Sequence, residues 1–330
     1  MQRQQWIDVL RGIGIVLVVW GHVYGGYSFD LIFLFHMPLF FFLSGMLFKP
    51  VADIGAFARY KARQLLVPYS IFLLLINLPL AMHLLAQPHD RADLLAFAVD
   101  LLLGGSRLSA WVAAFWFVTS FYAVLLIEAC LIGRHGRRTL CWLHALMLLL
   151  SMLNAWLVPQ WQVPWALNVA LAAAPFFYAG YLWHQAGDQP RLQRWATAVL
   201  LLALPVVIAN RYLGWNIGFG YDMKVTHYGI PGVSFIVALA CCVLLARLAR
   251  HLAAHHARGA RLLAALGRAA IVIMFMHMVF TMGLAALLGE QYRLARVALG
   301  LGGSYLIYLA SRRWAWSRTW LLGDVKNHRI

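Results

Sequence analysis

Arg11 and His22 stand in the first apolar stretch of the chain, IDVLRGIGIVLVVWGHVY over residues 7–24. The stretch is long enough to cross a bilayer. An Arg in mid-helix costs roughly 2.5 to 3.5 kcal/mol on insertion scales, so function is the first reading of such a group. Their spacing sharpens that reading. Eleven residues separate them, and at about 100° each this is three turns plus about 20°, which puts both side chains on one helix face, about 16 Å apart along the axis. One helix then carries an anion-binding guanidinium near one membrane surface and a proton-transfer imidazole near the other. Asp8 lies one turn before Arg11, at the i,i+3 spacing of an ion pair.

Further residues of this kind follow along the chain. The second apolar stretch reads LFHMPLFFFLSGMLF over 34–48, with His36 just before Met37-Pro38 and a small patch at Ser44-Gly45. Pro38 frees a backbone carbonyl and is expected to kink the helix, while Ser44-Gly45 admits another helix at close range. The turn from Gly25 to Phe29 is short, so the first two spans are antiparallel neighbours, and His22 and His36 fall at similar depth in the outer half. A basic connector, 49–65, ends in RYKARQLLVPYS. Arg59 and Arg63 share a helix face at i,i+4, Lys61 lies between them, and Pro68-Tyr69 starts or bends the third span. The connector 87–110 holds Asp90, Asp93, Asp100 and Arg107 and is read as an amphipathic re-entrant or lid segment. The fourth span carries Trp116 and Glu128, and the ninth, LGRAAIVIMFMH, ends in His277. The loop GWNIGFGYDMKVTHYG, with Asp222 and His227, suits either sugar stacking or an interfacial aromatic belt.

The elements that must position these groups are transmembrane helices. Of 330 residues, 63% are hydrophobic and only 12% charged, against about 45–50% apolar and 25% charged in soluble domains. The apolar runs are about 20 residues long, which excludes barrel strands. We read an all-α polytopic bundle of ten spans: 7–24, 30–48, 66–86, 111–132, 140–158, 165–184, 196–213, 229–246, 269–288 and 294–311. No linker or repeat divides the chain, so residues 1–330 are expected to form a single transmembrane domain. The first stretch contains Asp8 and Arg11 and no cleavage site follows it, so it is expected to remain as a helix. The four cysteines, Cys130, Cys141, Cys241 and Cys242, lack disulfide or metal spacing and read as small packing residues.

The net charge of +16 raises the possibility of a nucleic-acid partner, and its distribution argues against one. With the N-terminus in the cytoplasm, 20 of the 27 Lys and Arg fall at cytoplasmic ends or loops, among them Arg3, Arg268, Lys326 and Arg329. Six, including Arg107, Arg211 and Arg296, fall outside, and Arg11 is the remaining one. This is a positive-inside pattern through all ten spans, with both termini cytoplasmic, and the lipid bilayer is the partner it implies.

Taken together, the strings Asp8, Leu10-Arg11-Gly12 with His22, FHMPLFFFLSG, RYKARQLLVPY and LGRAAIVIMFMH resemble the acyltransferase family 3 membrane proteins, which O-acetylate sugars and polysaccharides. Within that family the chain is similar to the short branch of fucose 4-O-acetylase-like and exopolysaccharide acetylating proteins, with no fused periplasmic esterase-like domain expected. The resemblance implies an O-acetyltransferase of the inner (cytoplasmic) membrane that moves acetyl from cytoplasmic acetyl-CoA to a cell-surface or exported polysaccharide, or to its lipid-linked sugar precursor. It further implies catalytic roles for His22, as base or covalent acyl carrier, and for Arg11, Asp8 and His36. Arg59, Lys61, Arg63 and Tyr69 would bind the donor, and Trp116 and His277 the acceptor. No metal or prosthetic group is expected. A longer branch carries Trp-Ser-Leu-x-x-Glu in the fourth span. Here the region reads Trp116-Phe117-Val118-Thr119-Ser120-Phe121, and Glu128 comes only twelve residues after Trp116. The residues alone also fit a glycan transporter or flippase, without the internal repeat expected of one. A third reading is an acylase of a non-carbohydrate acceptor.

Overall fold

A computed structural model describes residues 5–86, 91–161, 163–187, 189–215 and 217–324. Arg3, Asp90, Lys326 and Arg329 lie outside the described residues. Among those described, the chain is helical with no strand, and ten helical stretches are long and apolar enough to cross a membrane. They coincide with the ten expected spans, most of them within a few residues.

Three places differ, each for a local reason. The second span is broken into α2 (Gly26–Ile32) and α3 (His36–Leu47). Pro38 has no N–H, and its ring would strike the Leu34 carbonyl if the helix ran on, so the break precedes it. The third span does not begin near Pro68. It is part of α4 (Ile54–Ala86), a 33-residue helix that takes up most of the basic connector and carries Pro68 and Pro79 in its interior. Asp53 caps it, its carboxylate accepting the Ala56 N–H at 2.9 Å. The 87–110 connector contains α5 (Arg91–Leu103), which leaves Leu95 and Leu102 largely exposed.

The chain's internal packing divides it into two units. The first comprises residues 1–49, 135–159 and 171–270. It holds α1 (Gln5–Tyr24), α2, α3, α7 (Arg137–Leu157), most of α8 (Leu167–Ala186), α9 (Pro190–Leu213), α10 (Val233–His255) and α11 (Ala257–Arg268). Its centre is built on small residues. Ala246 and Ala249 of α10 and Ala260 and Ala264 of α11 are buried with Val9 and Leu10 of α1. Lipid tails offer no hydrophobic drive for helix association, so close packing of small faces must supply it. Two crossings depend on glycine. At α1 and α11, a Cβ on Gly12 would strike the Leu263 carbonyl, and one on Gly267 the Asp8 carbonyl. At α3 and α8, Gly45 faces the Phe177 carbonyl and Gly180 the Phe42 carbonyl. Cys241 and Cys242 are buried here, whereas Cys130 and Cys141 are exposed and fill no core.

The second unit comprises residues 50–134, 160–170 and 271–330. It holds α4, α5, α6 (Trp116–Leu131), most of α12 (Ala270–Leu288), α13 (Arg293–Ser311) and α14 (Ala315–Leu322). The Tyr122 hydroxyl donates to the Ala58 carbonyl at 3.3 Å, tying α6 to α4. Arg296 is buried and donates to the carbonyls of Thr281 at 3.1 Å and Glu290 at 3.2 Å. It therefore ties α13 to α12 and to the turn that follows it, rather than serving only as an outer topology charge.

Candidate functional site

Asp8 is the buried centre of a three-residue ion cluster in the first unit. Its side chain is 4% exposed and accepts from Arg11 at 3.1 Å, and Arg268 lies 3.8 Å away. The Gly12–Gly267 crossing makes this possible, because it brings the residue after Gly267 alongside the first turns of α1. Thus two of the sequence strings meet: Leu10-Arg11-Gly12 and Leu266-Gly267-Arg268. Charge counting assigned Arg268 to the cytoplasmic loops. In sequence it resembles those topology charges, and the helix crossing is what pairs it with Asp8. One carboxylate between two guanidiniums leaves a net positive site, suited to an anion.

At the other end of α1, His22 is exposed and its ring stands edge-on to Phe33, with centroids 5.7 Å apart. Phe33 also lies against His36, at 4.3 Å. The two histidines expected to meet therefore share Phe33, a residue of the break between α2 and α3. His36 is buried, and its Nδ1 lies 3.0 Å from the Ile32 carbonyl. A carbonyl only accepts, so Nδ1 carries the proton and Nε2 the lone pair. The 214–229 loop also reaches Phe33: the Tyr221 N–H donates to the Phe33 carbonyl at 2.9 Å. Tyr221, Met223 and Tyr228 are fully or almost fully buried, and Asp222 pairs with His227 in an isolated antiparallel bridge. Burial pushes the Asp222 carboxyl up, opposed by the Lys224 and Val225 N–H groups and by the charges of His227 and Lys224. Burial likewise lowers the Lys224 ammonium and raises the Tyr221 and Tyr228 phenols. Two of the loop's aromatics, Tyr221 and Tyr228, thus pack inward, whereas Trp215 is exposed.

In the second unit the three basic residues of α4 do not form one patch. Arg59 and Arg63 are exposed on a shared face. Lys61 points elsewhere: its Nζ donates to Gln64 Oε1 at 2.8 Å and sits over the Phe57 and Tyr60 rings, at 5.8 and 5.3 Å from their centroids. Two residues along a helix turn the side chain by about 200°, which is the reason.

Tyr69 belongs to an aromatic cluster with Phe115 and Phe275, and Trp116 and His277 lie close to those two residues in sequence. Tyr69 lies 5.6 Å from Phe115, and Phe115 lies 4.6 Å from Phe275. Trp116 follows Phe115 and is buried, as is His277, two residues beyond Phe275. His277 Nδ1 lies 2.8 and 3.0 Å from the carbonyls of Ile273 and Met274, so this imidazole also presents Nε2 as its basic nitrogen. Above the cluster the backbone is strained. Ala110, Trp165 and Ala166 take φ of 47°, 60° and 53°, which non-glycine residues rarely adopt and which is common beside functional sites. Gly104, at φ +57°, faces the Tyr69 hydroxyl.

Comparison with known families matches residues 4–320 to the acyltransferase domain of acyltransferase family 3. The chain belongs to that family. It is therefore a multi-pass membrane acyltransferase, and the four strings that carried the resemblance all fall inside the matched region. Searches of curated proteins and of solved structures find no match.

Proposed function

We propose that this acyltransferase moves an acetyl group from cytoplasmic acetyl-CoA to a hydroxyl of a cell-surface or exported polysaccharide, or of its lipid-linked precursor, in the inner membrane. His22 takes the proton of the acceptor hydroxyl as its oxygen attacks the thioester carbonyl. The C–O bond forms, the C–S bond breaks, and the proton leaves with the CoA thiol. Arg11, held by Asp8, offers a guanidinium to an anionic part of the donor. Arg59 and Arg63 are assigned to its phosphates, with Lys61 and Tyr69 supporting the same segment. Trp116 and His277 are assigned to the acceptor, and His36 to the support of His22 through Phe33.

The observation that carries this reading is His22 itself: an exposed imidazole on the helix whose other end bears the Asp8–Arg11 pair, inside a chain of acyltransferase type. The test is transfer of labelled acetyl from acetyl-CoA to glycan by membranes carrying His22→Ala. A loss of roughly 100-fold or more is expected, with the amount of membrane-inserted protein unchanged. Undiminished transfer would remove His22 from the chemistry.

A further inference from the structure

A cavity of about 470 Å³ lies in the first unit, between its helices. Phe42, Leu239 and Val243 form its apolar floor. Val243 precedes Arg247, the first basic residue of α10, by four residues, and Phe42 precedes the end of α3 by five, so the floor begins about 6 to 8 Å inside the basic ends of these helices. Arg137, at the start of α7, and Arg191, at the start of α9, stand at its rim. Both ends are on the side the positive-inside pattern assigns to the cytoplasm. Trp183 and Trp195 form its walls. Trp183 is held in place by Arg250, whose guanidinium lies between the Trp183 and Trp6 rings at 4.5 and 4.6 Å. Among the described residues no carboxylate lines the cavity.

The helices on either side say what surrounds it. The apolar windows of α7 and α9 are only 17% and 11% buried, so these two spans face the bilayer. A cleft beside lipid-facing helices, with an apolar floor and two guanidiniums at the headgroup level, matches a lipid in polarity. A nucleotide would place adenine and ribose hydroxyls against that apolar floor and leave them without partners.

We propose that this cavity is a binding site for an anionic phospholipid of the cytoplasmic leaflet. One acyl chain packs on Phe42, Leu239 and Val243, and the headgroup phosphate lies between Arg137 and Arg191, with Trp195 at the interface. The proposal does not depend on the acyl-transfer chemistry.

Native mass spectrometry of the purified full chain in non-ionic detergent tests it. The probes are phosphatidylglycerol, phosphatidylcholine with the same chains, and CoA. The wild type should retain phosphatidylglycerol in preference to phosphatidylcholine. Each arginine removed should weaken retention about fivefold, so Arg137→Gln with Arg191→Gln should weaken it about 25-fold. Leu239→Trp, which fills the floor and leaves both charges, should also lower retention, and size-exclusion profiles check that each variant is folded. Equal retention of the two lipids, or undiminished retention in both variants, overturns the proposal. So does displacement of the lipid by CoA, which would assign the cavity to the donor's nucleotide.

Discussion

At the residue scale, the first helix holds charged groups where membrane physics disfavours them. Two guanidiniums reach the buried carboxylate of Asp8. Removing the carboxylate leaves two adjacent cations. Asp8→Ala should therefore destabilise the protein by about 1–3 kcal/mol, below the 3–5 of a fully buried pair because Arg11 and Arg268 keep 25% and 40% side-chain exposure. Arg268→Gln should cost less, since Arg11 still pairs with Asp8 at the shorter distance. Thermal unfolding in detergent reads this order, and equal losses would contradict it. Tyr221 supplies a second expectation. Its hydroxyl is buried, with no hydrogen-bond partner found among the described residues. Tyr221→Phe should leave stability unchanged or raise it by about 1 kcal/mol, by the same measurement, and a clear loss of stability would contradict this. Arg11, His22 and Asp8 were legible in the sequence because a charge in an apolar run announces itself. Arg268 and Phe33 were not: the first resembles a topology charge, and the second is one apolar residue among many. Only the helix crossing and the break at 33–35 give them their roles.

At the element scale, hydropathy made all ten spans legible, because each needs about 20 apolar residues and little else. It could not show the capped start of α4 at Asp53, nor that α11 lies along α1. Those features rest on one side-chain oxygen and on two glycines rather than on mean composition. The Ser44-Gly45 patch was legible as a close-approach point, and Gly45 does face the Phe177 carbonyl. At the Gly12–Gly267 crossing, Gly267→Val would drive a branched side chain into the Asp8 carbonyl. It should abolish recovery of monodisperse protein, whereas Gly136→Ala, with open space around it, should not change recovery. Size-exclusion chromatography after extraction compares the two. Normal recovery of Gly267→Val would show that α1 and α11 do not rely on this approach.

At the scale of the whole molecule, ten spans and the distribution of basic residues require loops to alternate sides. A reporter fused after Gln189 should be cytoplasmic, and one after Trp215 should be on the opposite face. Same-side signals would break the topology. Sidedness is also the core of the proposed function, which takes the donor from the cytoplasm and puts His22 toward the outer face. The most direct measurement uses oriented proteoliposomes with labelled acetyl-CoA on the cytoplasmic face and the glycan acceptor on the other. Label should enter the acceptor with the wild type and fall roughly 100-fold or more with His22→Ala. Equal labelling in the variant, or passage of glycan across the membrane with no label attached, would contradict it.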